Sequence, residues 1–342
     1  MTLSEHLFQL RTETGLKQQE LADKVGISLS GYQNYERGLR EPPLSTLVAL
    51  ADFYDLSLDE LVGRERCVRV TALLENTACR PGLAAAHGLS LYIQTPLHNI
   101  LFDMGPDEAF LANAQALGVD LEAVDVAVLS HGHYDHGGGL AAFCRLNTRA
   151  AVYLHRAAFG AYYAVEDGGE PAYIGLPLEL AAYRDRFRLT GGETVIDREL
   201  TLFSDPPRVF DALDASAALR EKMGEDFRPD GFAHEQNLLI RAAGKTVLIA
   251  GCAHRGIVNI LRGAEDRLGR RPDAAVGGFH LFQLAEGDPE ADALIDRTGQ
   301  ALLPGATVYY TGHCTGEYAY RRLRGILGER LCRLSGGGVV EI

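Results

Sequence analysis

Six consecutive residues, His131, Gly132, His133, Tyr134, Asp135 and His136, put three imidazoles and a carboxylate on one short stretch, and Gly137, Gly138 and Gly139 follow at once. Side chains of this kind each need a polar partner once they leave water, so together they are poor core material. Their flanks nonetheless belong to a core. Residues 124–130 (VDVAVLS) read as a buried strand, and residues 133–143 (HYDHGGGLAAF) read as a glycine-rich turn into a helix. Side chains at the end of a strand and on the turn after it converge outside the sheet edge, within reach of substrate. His131 and His133, one residue apart, can grip one ion, while Asp135 and His136 on the next turn can grip a second.

The chain around this cluster has 342 residues, enough for one large domain and a small one, and 46% hydrophobic content supplies the core. No run of 18 apolar residues occurs, and the opening MTLSEHLFQL lacks the basic start and apolar stretch of a signal peptide. The reading is a cytoplasmic protein without membrane contact. Six cysteines (Cys67, Cys79, Cys144, Cys252, Cys314, Cys332) without regular spacing read as reduced thiols. A net charge of −13 gives no general attraction to nucleic acid or anionic membrane, so any such contact needs a local patch.

A change of pattern divides the chain near residue 63. Residues 1–63 read as short amphipathic helices, roughly Ser4–Glu13, Gln18–Val25, Ser28–Arg37, Leu44–Tyr54 and Ser57–Val62, whereas residues 67–342 begin with β-rich runs and continue as helix–strand alternation. The first part resembles the helix-turn-helix domain of phage repressors and Cro. The resemblance rests on Gln18 opening the second helix, Leu21 and Ala22 packing it, Gly26 at the turn, Ser28 as N-cap of the third helix, and Glu36-Arg37-Gly38 closing it. It implies DNA contacts from Gln18, Ser28, Leu29, Ser30, Gln33 and Asn34, with the third helix in the major groove. Two features temper that expectation. Gly31 inside the recognition helix costs about 1 kcal/mol relative to Ala. Residues 1–63 carry five basic and ten acidic residues, a net of −5, so tight binding calls for a focused patch or a homodimer. A unit used only for docking or dimerisation is the alternative.

The second part resembles the metallo-β-lactamase superfamily through its His-x-His-x-Asp-His signature at positions 131–136 and the LFDMG segment (residues 101–105) upstream. The expected architecture is an all-α helix-turn-helix domain followed by an αββα lactamase fold. The resemblance implies that Asp103 supports the metal loop through hydrogen bonds. It also implies later ligands after apolar strands: His254 and His313, with His280 open as ligand, proton donor or substrate contact. Cys252 stands about where many relatives carry a bridging aspartate, so a thiolate ligand and a merely buried thiol are both open. His133 at the second signature position separates the chain from oxygen-reducing relatives, which carry glutamate there. The imidazole-rich set suits one or two Zn2+ ions, with manganese, iron or cobalt as alternatives. His6 and His98 are expected on a helix surface and a hairpin turn, solvated; His155 and His234 have places from which they could line the cleft but lack the glycine setting, and are expected as ordinary loop histidines.

Segments such as residues 72–76 (ALLEN), 234–240 (HEQNLLI), 251–261 (GCAHRGIVNIL) and 312–316 (GHCTG) narrow the likeness to the branch containing archaeal dihydropterin-methyl-ribofuranosylaminobenzene-phosphate synthases. That implies a phosphorylated, pterin-like substrate and hydrolase or transferase chemistry. Asp135 is expected as proton acceptor, His280 as proton donor and Arg255 as a phosphate contact. The segment between His155 and His234 is expected to build a lid or pocket wall, with Tyr162, Tyr163 and Tyr173 as stacking candidates. A metal- or ligand-sensing transcription regulator is the competing function.

Overall fold

The computed structural model describes residues 2–62, 67–165, 169–211 and 218–342. The chain separates into two compact units, Met1–Arg66 and Cys67–Ile342.

The first unit contains the helices Leu3–Thr14, Gln18–Lys24, Leu29–Glu36, Leu44–Tyr54 and Leu58–Leu61. Thr2 caps the first through a reciprocal pair with Glu5, and Ser28 caps the third by accepting the Gly31 N–H at 3.1 Å. The apolar faces close on Leu7, Leu21, Ala22, Tyr32, Leu50 and Leu61, all fully buried. One charged group is buried with them. The Glu36 carboxylate accepts Arg11 Nε–H at 2.5 Å and Gln18 Nε2–H at 2.6 Å, fixing the angle between the first three helices. These contacts hold it below the ordinary carboxylate range although burial pushes the other way.

The second unit is a four-layer sandwich. One seven-stranded sheet runs, in spatial order, Val339–Glu341, Arg69–Leu74, Ser90–Gln94, Asn99–Phe102, Val126–Val128, Ala151–His155 and Phe187–Thr190. The other runs Leu331–Arg333, Val308–Thr311, Ala274–Val276, Lys245–Ile249, Asn237–Ala242, Leu200–Phe203 and Glu193–Val195. Both inner faces are apolar. Val70, Leu91, Phe102 and Val128 of one sheet share a cluster with Leu202, Leu238, Val247 and Ile249 of the other. Helices Ala109–Leu117 and Leu140–Leu146 cover one outer face, and Ile257–Leu268, Pro289–Leu302 and Glu317–Leu327 the other. A small four-stranded sheet (Asp226–Pro229, Leu219–Met223, Tyr162–Ala164, Ala172–Tyr173) comes from the segment expected to form a pocket wall.

Parallel pairing decides where function can sit. Asn99–Phe102, Val126–Val128 and Ala151–His155 run parallel in one sheet, as do Lys245–Ile249, Ala274–Val276 and Val308–Thr311 in the other. Asp103, His131, Cys252, His280 and His313 each follow the carboxyl end of one of these strands. Ligand crevices lie outside such strand ends.

His98 corrects an expectation. It occupies the hairpin turn as read, but its ring lies between two carboxylates, with Nδ1 2.6 Å from Asp125 Oδ2 and Nε2 2.5 Å from Asp197 Oδ2. Asp197 belongs to a hairpin of the opposite sheet, so the ring clips the sandwich together at the end remote from the histidine cluster. Burial opposes its charge, yet the two carboxylates outweigh that and hold the imidazole above its ordinary pKa. Such a group stabilises fully below the unfolded value of about 6.5, and the contribution is lost as pH rises through the raised folded value. His98→Gln is therefore expected to lower Tm distinctly at pH 6 and much less at pH 9; an equal deficit at both, in thermal melts, contradicts the clip.

Candidate metal centre and helix-turn-helix surface

The Gly137–Gly139 run is explained by its neighbours. A Cβ at Gly138 would lie 2.0 Å from Pro106 O, and one at Gly139 2.3 Å from Met104 O. Only glycine lets the turn after His136 press against the segment carrying Asp103. That contact matters because Asp103, buried and at φ 58°, organises the loop. Its Oδ1 accepts the Ser130 N–H at 2.7 Å; its Oδ2 accepts Ser130 Oγ–H at 2.7 Å and His136 Nδ1–H at 2.6 Å. With that hydroxyl proton committed to Asp103, His131 Nδ1–H donates to Ser130 Oγ at 2.8 Å.

The same device holds His313, whose Nδ1–H donates to Asn76 Oδ1 at 2.9 Å while its backbone N–H donates to Glu75. All three imidazoles thus have Nδ1 tethered and Nε2 turned inward, the tautomer that outer hydrogen bonds impose on metal-ligating histidine. The inward atoms crowd. His136 Nε2 lies 3.1 Å from His313 Nε2 and 3.1 Å from Cys252 Sγ, Cys252 Sγ lies 3.3 Å from His313 Nε2, and Asp135 Oδ2 lies 3.5 Å from both Nε2 atoms. A tetrahedral ion with ligands at about 2.0–2.1 Å separates neighbouring ligand atoms by about 3.4 Å. The four-atom set Asp135, His136, Cys252 and His313 fits that spacing.

A second set adjoins it. Donor atoms of His131, His133 and His254 lie within 4.8 Å of one another, with His131 Nε2 and His254 Nε2 3.3 Å apart. Burial first, and then the neighbouring histidines, push His131 and His254 well below the ordinary imidazole range, so both rings are neutral. Burial opposes charge on His136 as well, but Asp103 and Asp135 carry it up to about 9. Asp135 is held well below its usual range by His136 and His313 against the effect of burial. Asp103, Ala253, His280 and His313 all have left-handed φ, so backbone strain is concentrated around the two sets.

Several contributors carry no signal in local sequence. His234, expected as an ordinary loop residue, is fully buried beside the cage: Nδ1 accepts the Gly132 N–H at 2.9 Å and Nε2–H donates to Asp230 Oδ2 at 3.0 Å. Burial first lowers it to about 4, Asp230 only partly countering. Asp230 in turn lies 3.8 Å from His133 Nε2. Glu235 accepts the backbone N–H groups of His254 at 2.6 Å and Arg255 at 3.0 Å, and burial, against those two donors, pushes it up to about 7. His87 contributes Nε2 at 3.6 Å from Asp135 Oδ2. The only local hint was a run of polar residues, His234-Glu235-Gln236, directly before a buried strand.

The two sets open onto a cavity of about 170 Å3 lined by His87, His133, Asp135, Cys252, His254 and His280, with Tyr134, Ile174, Leu219 and Phe282 as its apolar wall. Ala164, Ile174 and Leu219 come from the small sheet and its loops. Tyr173 lies outside this lining; its hydroxyl donates to Leu176 O at 3.0 Å and its ring packs edge-on against Tyr163. Tyr162 is buried against His234, and its hydroxyl donates to Ala157 O. Neither ring is placed for stacking in the cavity, and Ile174 takes the position expected of its neighbour. His155 is buried, with Nδ1 accepting the Ala157 N–H at 3.2 Å, and His6 Nδ1–H reaches Leu61 O at 3.0 Å. Arg255 lines a separate cavity of about 130 Å3 with Arg208, Asp230, Phe232 and His254, and donates to Ser204 O at 2.7 Å.

In the first unit, Ser28 and Ser30 are exposed, and Leu29, Gln33 and Asn34 are half-buried on the same helix. Gln33 Nε2–H donates to Gln18 Oε1 at 3.1 Å, and Gln18 is itself held by Glu36. Two of the expected contact residues, Gln18 and Gln33, are thus held to each other and to Glu36.

A family model described as the metallo-beta-lactamase superfamily matches residues 85–313. The chain belongs to that superfamily. A helix-turn-helix model matches residues 7–61. The lactamase unit is similar to 7,8-dihydropterin-6-methyl-4-(beta-D-ribofuranosyl)-aminobenzene-5'-phosphate synthase of Methanocaldococcus jannaschii, 24% identical over 304 residues, 82% of this chain and 98% of the relative. Among solved structures it resembles Tm1679, a metal-dependent hydrolase of the beta-lactamase superfamily, with a TM-score of 0.69 and 27% identity, covering 80% of this chain and 99% of that one. The first unit is similar to the HTH-type transcriptional regulator AnsR of Bacillus subtilis, 44% identical over 62 residues, 18% of this chain and 53% of the relative.

Asp103→Asn places an amide NH2 against the donors of Ser130 and His136. The lactamase unit is expected to keep its fold but to bind zinc about 10–100-fold more weakly in chelator competition; unchanged affinity contradicts the supporting role of Asp103.

Proposed function

We propose that the lactamase unit is a metal-dependent hydrolase or transferase acting on a phosphorylated small molecule, and that the helix-turn-helix unit binds DNA and ties the protein to transcription. The observation that carries the catalytic part is the pair of adjoining donor sets facing an open cavity. His131, His133 and His254 would hold one divalent cation; Asp135, His136, Cys252 and His313 would hold a second. The thiolate among imidazoles favours zinc over manganese or iron. Such a cation supplies Lewis acidity, stabilising charge that develops on a phosphoryl or carbonyl oxygen and making water acidic near pH 7.

The chain's own groups supply the rest. Asp135 faces the cavity with its carboxylate ionised, in position to accept a proton from the attacking group. Tyr134 and Phe282 offer apolar contact to a ring system at the mouth. Arg255 makes no ion pair among the described residues, and its guanidinium lines the neighbouring cavity, suited to a phosphate two of whose oxygens it can bind at once. Similarity to a synthase whose named product carries a dihydropterin and a phosphate supports a pterin-like phosphate ester as the first compound to try.

The helix-turn-helix match also favours a second reading, in which the lactamase unit senses a metal or ligand and the first unit, as a homodimer on paired half-sites, transmits the result to DNA. Free thiols and DNA as a partner support a cytoplasmic location under either reading. Among the described residues no helix is long and apolar enough to cross a membrane.

Purified protein is expected to carry one or two zinc-like ions per chain and to hydrolyse a generic phosphoester, with His133→Ala losing at least about 100-fold in turnover. Absence of metal by elemental analysis, or unchanged turnover in that variant, sinks the catalytic reading. For DNA, a footprint upstream of the protein's own coding region should vanish with Gln33→Ala and Asn34→Ala; no salt-sensitive binding at low ionic strength would reject it.

A further inference from the structure

A second thiol stands beside the four-atom set and takes no part in it. Cys314, 1% exposed, follows His313 on the turn after the strand Val308–Thr311, and its thiol donates to Cys252 O at 3.4 Å. The room for it is made by Gly278, where a Cβ would lie 2.4 Å from Cys314 Sγ. Cys314 Sγ, Cys252 Sγ and a ring nitrogen of His280 lie within 4.8 Å of one another, and all three residues line the open cavity. His280 gives the independent sign that something belongs there. It is 7% exposed, and neither Nδ1 nor Nε2 has a hydrogen-bond partner among the described residues. A buried imidazole with both nitrogens unpaired is costly unless a ligand satisfies one of them. His131, His136 and His313 have Nδ1 tied to Ser130, Asp103 and Asn76; His280, its ring centroid 4.1 Å from that of His254, meets the two sulfurs with neither nitrogen tied in this way.

We propose that Cys252, His280 and Cys314 form an additional, sulfur-rich cation position next to the His136 and His313 set, taking a thiophilic divalent metal such as zinc or cadmium, with Cys252 shared as a bridging thiolate. Of the roles that its place in the sequence left open, His280 here takes that of ligand. Binding involves no redox change: each S–H bond breaks with its electron pair kept on sulfur, and the proton passes to water as the metal–sulfur bond forms. Two thiolates and an imidazole select against hard cations such as magnesium and manganese. The cavity therefore contains a position for soft metals distinct from its oxygen- and imidazole-lined side. This rests on the reading that the cavity holds cations.

The test is cobalt reconstitution of the metal-stripped full chain, read by thiolate-to-cobalt absorption. The expected band is that of two sulfur ligands; Cys314→Ser should remove about half of it, and His280→Ala should weaken the last cobalt equivalent about tenfold or more while leaving the first unchanged. A control, Cys79→Ser, alters an exposed thiol and should change nothing. X-ray absorption of the zinc-loaded unaltered chain needs no variant to fold and should show two different sulfurs bound per chain. A single sulfur, with a band insensitive to Cys314→Ser, overturns the proposal while leaving the two-set centre intact. No cation bound at all defeats the catalytic reading with it.

Discussion

Donor atoms brought together out of water and crowded against one another are the constraint on which the lactamase unit depends. His136 Nε2, His313 Nε2 and Cys252 Sγ sit 3.1–3.3 Å apart, Asp135 Oδ2 lies 3.5 Å from both nitrogens, and both rings have Nδ1 already committed. Facing imidazole nitrogens at such distances share one proton, which His136 supplies because Asp103 and Asp135 outweigh burial there. A cation displacing that proton would give all the inward atoms one common partner. The strain at Asp103, His280 and His313 and the glycine contacts behind the loop have their physical reason in the need to hold these atoms inward.

The sandwich provides that force by topology. Two half-sheets of parallel strands pack face to face, so their carboxyl ends lie at one rim, and donors far apart along the chain arrive there on short rigid stems. An outer layer of hydrogen bonds then sets each ring. Asp103 holds His136 and, through Ser130, His131; Asn76 and Glu75 hold His313; Glu235 holds the backbone of His254; Asp230 links His234 to His133. The rim opposite is closed by the His98 clip between Asp125 and Asp197. One end of the sandwich is thus locked by charge pairing, while the other is held ready for a ligand.

What could be read from sequence follows the range of the contacts. The signature at 131–136 is legible because its spacing and flanking strand are local, and the helix-turn-helix unit because caps, turn and apolar periodicity all lie within about 60 residues. His254 and His313 could be named from apolar strands ending in glycine turns, but not paired with particular neighbours. His234, Asp230, Asn76 and Cys314 were missed because their meaning is long-range: His234 meets Gly132 across 102 positions and Asn76 meets His313 across 237. His98 failed for the same reason, its turn visible and its carboxylate partner 99 residues away not. Tyr173 shows the converse limit, since a two-residue strand decides which of two adjacent side chains faces the cavity, and composition does not.

Anomalous diffraction at the zinc edge from crystals of the zinc-loaded protein addresses the central claim most directly. The account predicts scattering peaks within bonding distance of His136 Nε2, Cys252 Sγ and His313 Nε2, and of His131 and His254 Nε2. Rings turned to separate faces, with no peak between them, would contradict it.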